Sequence, residues 1–324
     1  MPQTVLDFAS EAGVSLTPVQ RVVIKLMYGL DLGLSSVVGF EHPLSGDRWS
    51  GSEVDYRDLL LSQGRLMGQT SSRKVALAMG RRSGKDTLLA LVSAYEAYLL
   101  TESIDINPLQ VLMSSPVVSM TGLLLDGVKV LADNHPELSS RKANEKSTGV
   151  WFQTLLEQES QPWKGSRRQA PASVSIQTVA ALHTNFRGRT ASCALFNEAD
   201  LMAQSSWERA LDTSFEALRP EGLLVLAGTP VIEGAALRHL WGQPDVLSLQ
   251  VPTWEARPDM VSFLREQSEK PTLFGVEYGA DFPALLSVPV PRRLLWALER
   301  AAGQEGLGLS AYIRRELNTL ASGK

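Results

Sequence analysis

Gly80-Arg81-Arg82-Ser83-Gly84-Lys85-Asp86-Thr87 places glycines, a lysine and small polar residues at a spacing suited to holding phosphate. Glycines let backbone N–H groups turn onto anionic oxygens. The lysine meets the β- and γ-phosphates, and a helix starting at the same point aims its N-terminal dipole at the ligand. The strict pattern is missed twice. Met79 stands where the first glycine belongs, with Gly80 one place late, and Asp86 replaces the hydroxyl residue that binds Mg2+. A glycine turn with a solvated lysine is the competing reading of this segment alone. Ser192-Cys193-Ala194-Leu195-Phe196 is an apolar run delivering Asn197-Glu198. In phosphoanhydride hydrolases this place holds an acidic pair, one member serving Mg2+ and the other orienting the attacking water. A third apolar run, 223–227, ends in Gly228-Thr229-Pro230 and puts a small hydroxyl residue beside the same site.

These residues need a scaffold that gathers strand ends, and the hydrophobic pattern supplies one. Residues 74–79 read as a short strand, followed by the glycine turn and a helix to about residue 100. Further strands are predicted at 110–115, 173–179, 192–196, 223–227 and 246–251, with helices at 17–30, 119–132 and 206–218. Residues 41–58, broken by Pro43, Gly46 and Gly51, read as a loop or hairpin. Nearly all-apolar strands alternating with helices predict an α/β fold with a mostly parallel sheet covered on both faces. Open sheets of this kind bind ligands at the C-terminal ends of their strands.

The 324 residues are 44% hydrophobic and 20% charged, ordinary globular composition with enough chain for a large core. One cysteine and four histidines exclude a disulfide framework and a Cys-rich zinc site, and make a His-built metal site improbable. No apolar run is long enough for a membrane span and residues 1–15 do not resemble a signal peptide, so the expected compartment is the cytosol. The net charge of −4 excludes coating of nucleic acid by bulk basicity, although not a local basic channel. Residues 286–324 hold six Lys/Arg against three Glu, a net +3, which leaves −7 for the rest.

The order and spacing of the motifs resemble the large subunit of the tailed-phage DNA-packaging terminase, over roughly residues 15–282. The resemblance rests on five segments: Leu16-Thr17-Pro18-Val19-Gln20; Gly80 to Lys85; Phe186-Arg187-Gly188-Arg189-Thr190 before the strand ending in Asn197-Glu198; Gly228-Thr229-Pro230 with Gly234; and Phe274 to Phe282 as a Glu-Tyr-x-x-x-Phe signature. It implies a RecA-like P-loop ATPase of the additional-strand, catalytic-Glu type. It further implies ATP and Mg2+ as cofactors and ATP-driven translocation of double-stranded DNA into a procapsid. By resemblance Lys85 meets the β/γ-phosphates, Glu198 activates water, Gln20 reads adenine, Thr229 couples, and Arg81 senses the γ-phosphate. Gly80, Arg82, Ser83, Gly84, Asp86, Thr87 and Asn197 complete the nucleotide site. Arg187 and Arg189 are arginine fingers, DNA contacts or plain salt-bridge partners. The implied partners are double-stranded DNA, a portal carrying a homo-oligomer, a small terminase subunit and a separate nuclease, in the cytoplasm of the infected bacterial host and not on a membrane.

Asp86 and Asn197 depart from the family pattern in compensating directions. If both face one Mg2+, the site still presents one carboxylate and one neutral oxygen, which hard cations accept. The competing reading is a degenerate site in a terminase-derived DNA-binding or regulatory protein; a small-molecule P-loop kinase ranks third. Lys164, Arg167 and Arg168, beside Trp163, form either a sequence-independent phosphate-backbone contact or a solvated loop. The expected organisation is an ATPase domain over 1–285, with 1–73 as its N-terminal region, and a C-terminal β-α-α module over 286–324. That module resembles a ribbon-helix-helix unit, with a packed helical hairpin as the alternative, and its 39 residues leave no room within this chain for the family's nuclease.

Overall fold

Three capping boxes start the N-terminal helices. Thr4 with Asp7 opens α1 (Val5–Glu11), Thr17 with Gln20 opens α2 (Pro18–Tyr28), and Ser52 with Asp55 opens α3 (Glu53–Ser62). Pro18 sits in the first turn of α2, where its missing N–H costs nothing, and Gly29 ends that helix in the left-handed conformation at φ 63°. Between α2 and α3, β1 (Val37–Glu41) pairs antiparallel with β2 (Arg48–Ser52). Residues 41–58 are thus part hairpin and part helix, a correction to the loop-or-hairpin expectation. The Ser52–Asp55 box overrides the nearby Gly51.

The protein, described by a computed structural model, is defined over residues 3–70, 72–102, 109–159, 172–180, 186–187, 189–201, 204–230, 236–267, 271–281 and 300–301. Its contacts separate 1–283 from 284–324 as two units. Apart from residues 300 and 301, the ribbon-helix-helix expectation lies outside the described residues, as do Lys164, Arg167 and Arg168.

The remaining strands are β3 (Leu66–Met67), β4 (Lys74–Met79), β5 (Leu109–Ser115), β6 (Lys142–Lys146), β7 (Gly149–Phe152), β8 (Val174–Ala180), β9 (Ala191–Asn197), β10 (Leu218–Gly228) and β11 (Leu247–Val251). With α4 (Lys85–Thr101) and α5 (Val118–Asn134) they build one nine-stranded sheet in the order β3-β11-β4-β10-β9-β5-β8-β7-β6. The six strands from β11 to β8 are parallel to their neighbours; β3, β7 and β6 join antiparallel at the edges. β10 lies between β4 and β9, the additional-strand arrangement.

Side chains alternate across the sheet. Val75, Leu77 and Met79 of β4, Cys193 and Leu195 of β9, and Val225 and Ala227 of β10 join the core under α1, α2, α4 and α5. Ala76, Ala194, Phe196, Leu224 and Leu226 pack on the other face with Leu211, Leu237 and Leu240. Burying both faces is what makes these strands continuous apolar runs.

Candidate functional site

β4, β9 and β10 end side by side, and each end carries site residues. Asn197 pairs in register with Ala227, one residue before Gly228, while Gly228 pairs with Ala78, one residue before Met79. Thr229 is buried and its Oγ1 donates to the Met79 carbonyl at 2.9 Å, tying the end of β10 to the start of the glycine loop.

The loop itself is strapped from both ends of the chain. Gly80 N–H donates to the Val251 carbonyl at 3.2 Å and Arg81 N–H to the Glu277 carbonyl at 2.6 Å. The Arg81 carbonyl accepts from Thr253 Oγ1 at 2.7 Å. A Cβ at Gly80 would stand 2.3 Å from both Thr253 Oγ1 and the Tyr278 carbonyl oxygen, so only glycine fits. On its other flank the loop meets Gln20, whose Nε2 donates to the Ser83 carbonyl at 2.8 Å while its Oε1 accepts from Thr17 N–H at 3.0 Å. Thr253 and Glu277 carried no assigned role in the sequence reading. The Glu-Tyr signature pointed to Glu277 without indicating what it holds.

Arg82 at φ 65° and Gly84 at φ 85° turn the chain so that α4 starts at Lys85. Lys85 is buried, and its Nζ reaches Glu198 Oε1 at 2.6 Å. Glu198 itself sits at φ 51°, a left-handed conformation that costs a non-glycine residue about 1–3 kcal/mol and characteristically marks functional turns. Asn197 Nδ2 donates to Asp86 Oδ1 at 2.8 Å, and Asn197 Oδ1 accepts from Glu198 N–H at 3.0 Å. The two departures from the family pattern, Asp86 and Asn197, are therefore direct partners. The Asn197 side chain thus turns its amide nitrogen to Asp86 and its oxygen to the Glu198 N–H, bracing both neighbours.

Arg81 pairs with Glu277 at 3.2 Å, and the Arg82 guanidinium lies 4.4 Å over the Phe263 ring. Ser83 is buried, and its Oγ finds no hydrogen-bond partner among the described residues. Asp200, just after Glu198, is 1% exposed with Oδ1 accepting from Leu237 N–H at 3.4 Å and Oδ2 unpartnered among the described residues. Burial pushes its carboxyl up to about 7 against the pull of Lys85. A cleft of about 760 Å³ runs along the loop, from Lys85, Asp86, Thr87, Glu198 and Thr229 to Arg257, Met260 and Tyr278. Gln20 does not line it.

Arg189 sits before β9, at the other end of that strand from Glu198. Its Nη1 donates to Gln177 Oε1 at 3.0 Å and Gln110 Oε1 at 3.4 Å, so its partners there are neutral amides and not the carboxylates of a surface salt bridge. Arg187 is exposed. Among the described residues there is no group of three or more His, Cys, Asp or Glu that could hold a metal, and no helix long and apolar enough to cross a membrane.

A strand, a glycine loop and a helix in succession, with a second strand delivering a glutamate to the lysine and a third inserted between them, make the sheet of a P-loop fold. Comparison with solved structures narrows the fold: it is that of phage large terminase ATPase domains. It is similar to the ATPase domain of the Thermus phage P74-26 large terminase, in a point-mutant form, with TM-score 0.52 and 17% identity over 66% of this chain and 90% of that one. The large terminase of bacteriophage HK97 aligns with TM-score 0.50 and 14% identity over 87% of this chain; the match spans 59% of the HK97 chain. No protein-family model and no curated protein sequence matches the chain.

Proposed function

We propose that this chain is an ATP-hydrolysing motor of a viral DNA-packaging terminase, driving double-stranded DNA into a procapsid from a homo-oligomer seated on a portal. The observation that carries the reading is Glu198 Oε1 at 2.6 Å from Lys85 Nζ, at the mouth of a loop whose backbone is shaped for phosphate. Lys85 meets the β- and γ-phosphates in place of Glu198, and the released carboxylate orients the attacking water. Thr229, bonded to Met79 at the loop's start, links the state of that loop to the segment after β10. Arg81 adds positive charge where the transferred phosphoryl group develops negative charge.

The donor set fits Mg2+, which favours one or two carboxylates with the rest of its shell from phosphate and water. Asp86, held by Asn197 at 2.8 Å, is the residue that would hold it, and the ion would supply positive charge against the phosphate oxygens.

Asp86 at the usual hydroxyl position favours a second reading, a terminase-derived regulator that binds DNA without turnover. Hydrolysis measured with and without long double-stranded DNA separates the two. The motor shows turnover stimulated by DNA and abolished by Lys85→Ala. Bound DNA with no turnover identifies the regulator, and phosphate transferred to a metabolite identifies a kinase.

A further inference from the structure

The resemblance assigns base reading to Gln20, and the geometry points elsewhere. A base-reading amide must present its donor and acceptor to the ligand. Gln20 is 5% exposed, its Oε1 is engaged by Thr17 N–H at the cap of α2, and its Nε2 is engaged by the Ser83 carbonyl. A Cβ on Gly84 would lie 2.4 Å from that Nε2, so the amide is packed against the loop backbone. The cleft continues instead past the start of the loop. There the Tyr278 carbonyl touches Gly80, and Tyr278 and Met260 line the wall together with Arg257.

We infer that Tyr278 and Met260 seat the nucleobase, and that Gln20 is a positioning residue for the phosphate loop. The inference rests on the ATP-site reading above. The Tyr278 ring is fixed by Phe274, centroids 5.5 Å apart, and by Phe263, edge-on at 6.3 Å. Arg82 stacked on Phe263 extends this surface beside the loop. An aromatic ring and a thioether offer a base contact area with few directional demands. Arg257 is held by Asp259 through two hydrogen bonds of 2.9 and 2.6 Å, which fixes the remaining side of the wall. A seat built from stacking accepts any purine, because every base has a π-face. ATP and GTP therefore bind within about tenfold of each other, whereas an engaged donor-acceptor amide would discriminate more strongly.

Calorimetric titration of the full chain with ATP, GTP and inorganic tripolyphosphate tests this. Tyr278→Ala weakens ATP about tenfold and leaves tripolyphosphate unchanged, Tyr278→Phe restores ATP, and Met260→Ala acts in the same direction as Tyr278→Ala. Gln20→Ala weakens ATP and tripolyphosphate by the same factor. The inference is overturned if Gln20→Ala weakens ATP alone, or if Tyr278→Ala affects both ligands equally or neither. Wild-type protein that binds neither ATP nor tripolyphosphate overturns the ATP-site reading itself, and this inference with it.

Discussion

Lys85 Nζ and Glu198 Oε1 stand 2.6 Å apart, so the residue proposed to meet phosphate is neutralised by the residue proposed to activate water. Lys85 is 7% exposed and Glu198 26%, which keeps solvent from screening the pair fully. On the proposed reading, phosphate displaces the carboxylate to reach the lysine.

Glu198→Gln removes that competition, so ADP, which cannot be hydrolysed further here, binds several-fold more tightly to the variant than to wild type. Fluorescence titration with a labelled ADP checks this. Equal or weaker ADP binding would mean that the ion pair does not oppose nucleotide entry.

The Asn197–Asp86 hydrogen bond of 2.8 Å makes the two positions interdependent. Asp86→Ser leaves no carboxylate at the proposed cation position and lowers the ATP hydrolysis rate by at least about tenfold. Adding Asn197→Asp returns a carboxylate across the same gap and recovers a substantial part of the loss. A double variant as inactive as the single one would show that the pair does not exchange roles.

Gly80→Ala drives a methyl group against Thr253 Oγ1 and the Tyr278 carbonyl, each at 2.3 Å. Overpacking of this kind costs about 1–3 kcal/mol. Thermal denaturation reports that loss, and nucleotide affinity falls more than stability alone explains because the loop moves with it. Full retention of both would show that the strap is not rigid.

Much of this architecture is legible in the residues. The run 74–79 is β4 without adjustment, and Asn197-Glu198 falls at the end of an all-buried strand as the apolar run before it requires. β6 is not legible in the pattern because Lys142, Glu145 and Lys146 give this edge strand a polar face, and edge strands carry charge to resist pairing. The straps on the phosphate loop were equally hidden. Thr253 and Glu277 act through contacts across 172 positions or more, which no local pattern encodes. Gln20 shows the limit from the other side: its motif is visible, but the geometry of its amide depends on where Ser83 arrives.

Asp200 gives the site a pH signature. Its carboxyl rises from 3.8 to about 7 on folding because burial disfavours the charge, so the native state holds its proton more tightly than the unfolded chain. That contribution is intact below the unfolded value of 3.8 and is lost as pH rises through about 7. Asp200→Asn, which needs no proton, is therefore more stable than wild type by a few kcal/mol at neutral pH, with the advantage shrinking toward pH 4. Denaturant midpoints of the nucleotide-free proteins across this range check it. A constant difference would mean that Asp200 does not titrate with folding.

The most direct test of the Lys85–Glu198 site is steady-state ATP hydrolysis by wild type, Glu198→Gln and Lys85→Ala, with nucleotide binding measured in parallel on the same preparations. Glu198→Gln is predicted to bind ATP while its turnover falls at least about a hundredfold, as expected when a group acting only in the transition state is removed. Lys85→Ala is predicted to lose turnover together with most of its ATP affinity. Turnover in Glu198→Gln equal to that of wild type would contradict the assignment of this pair as the catalytic centre.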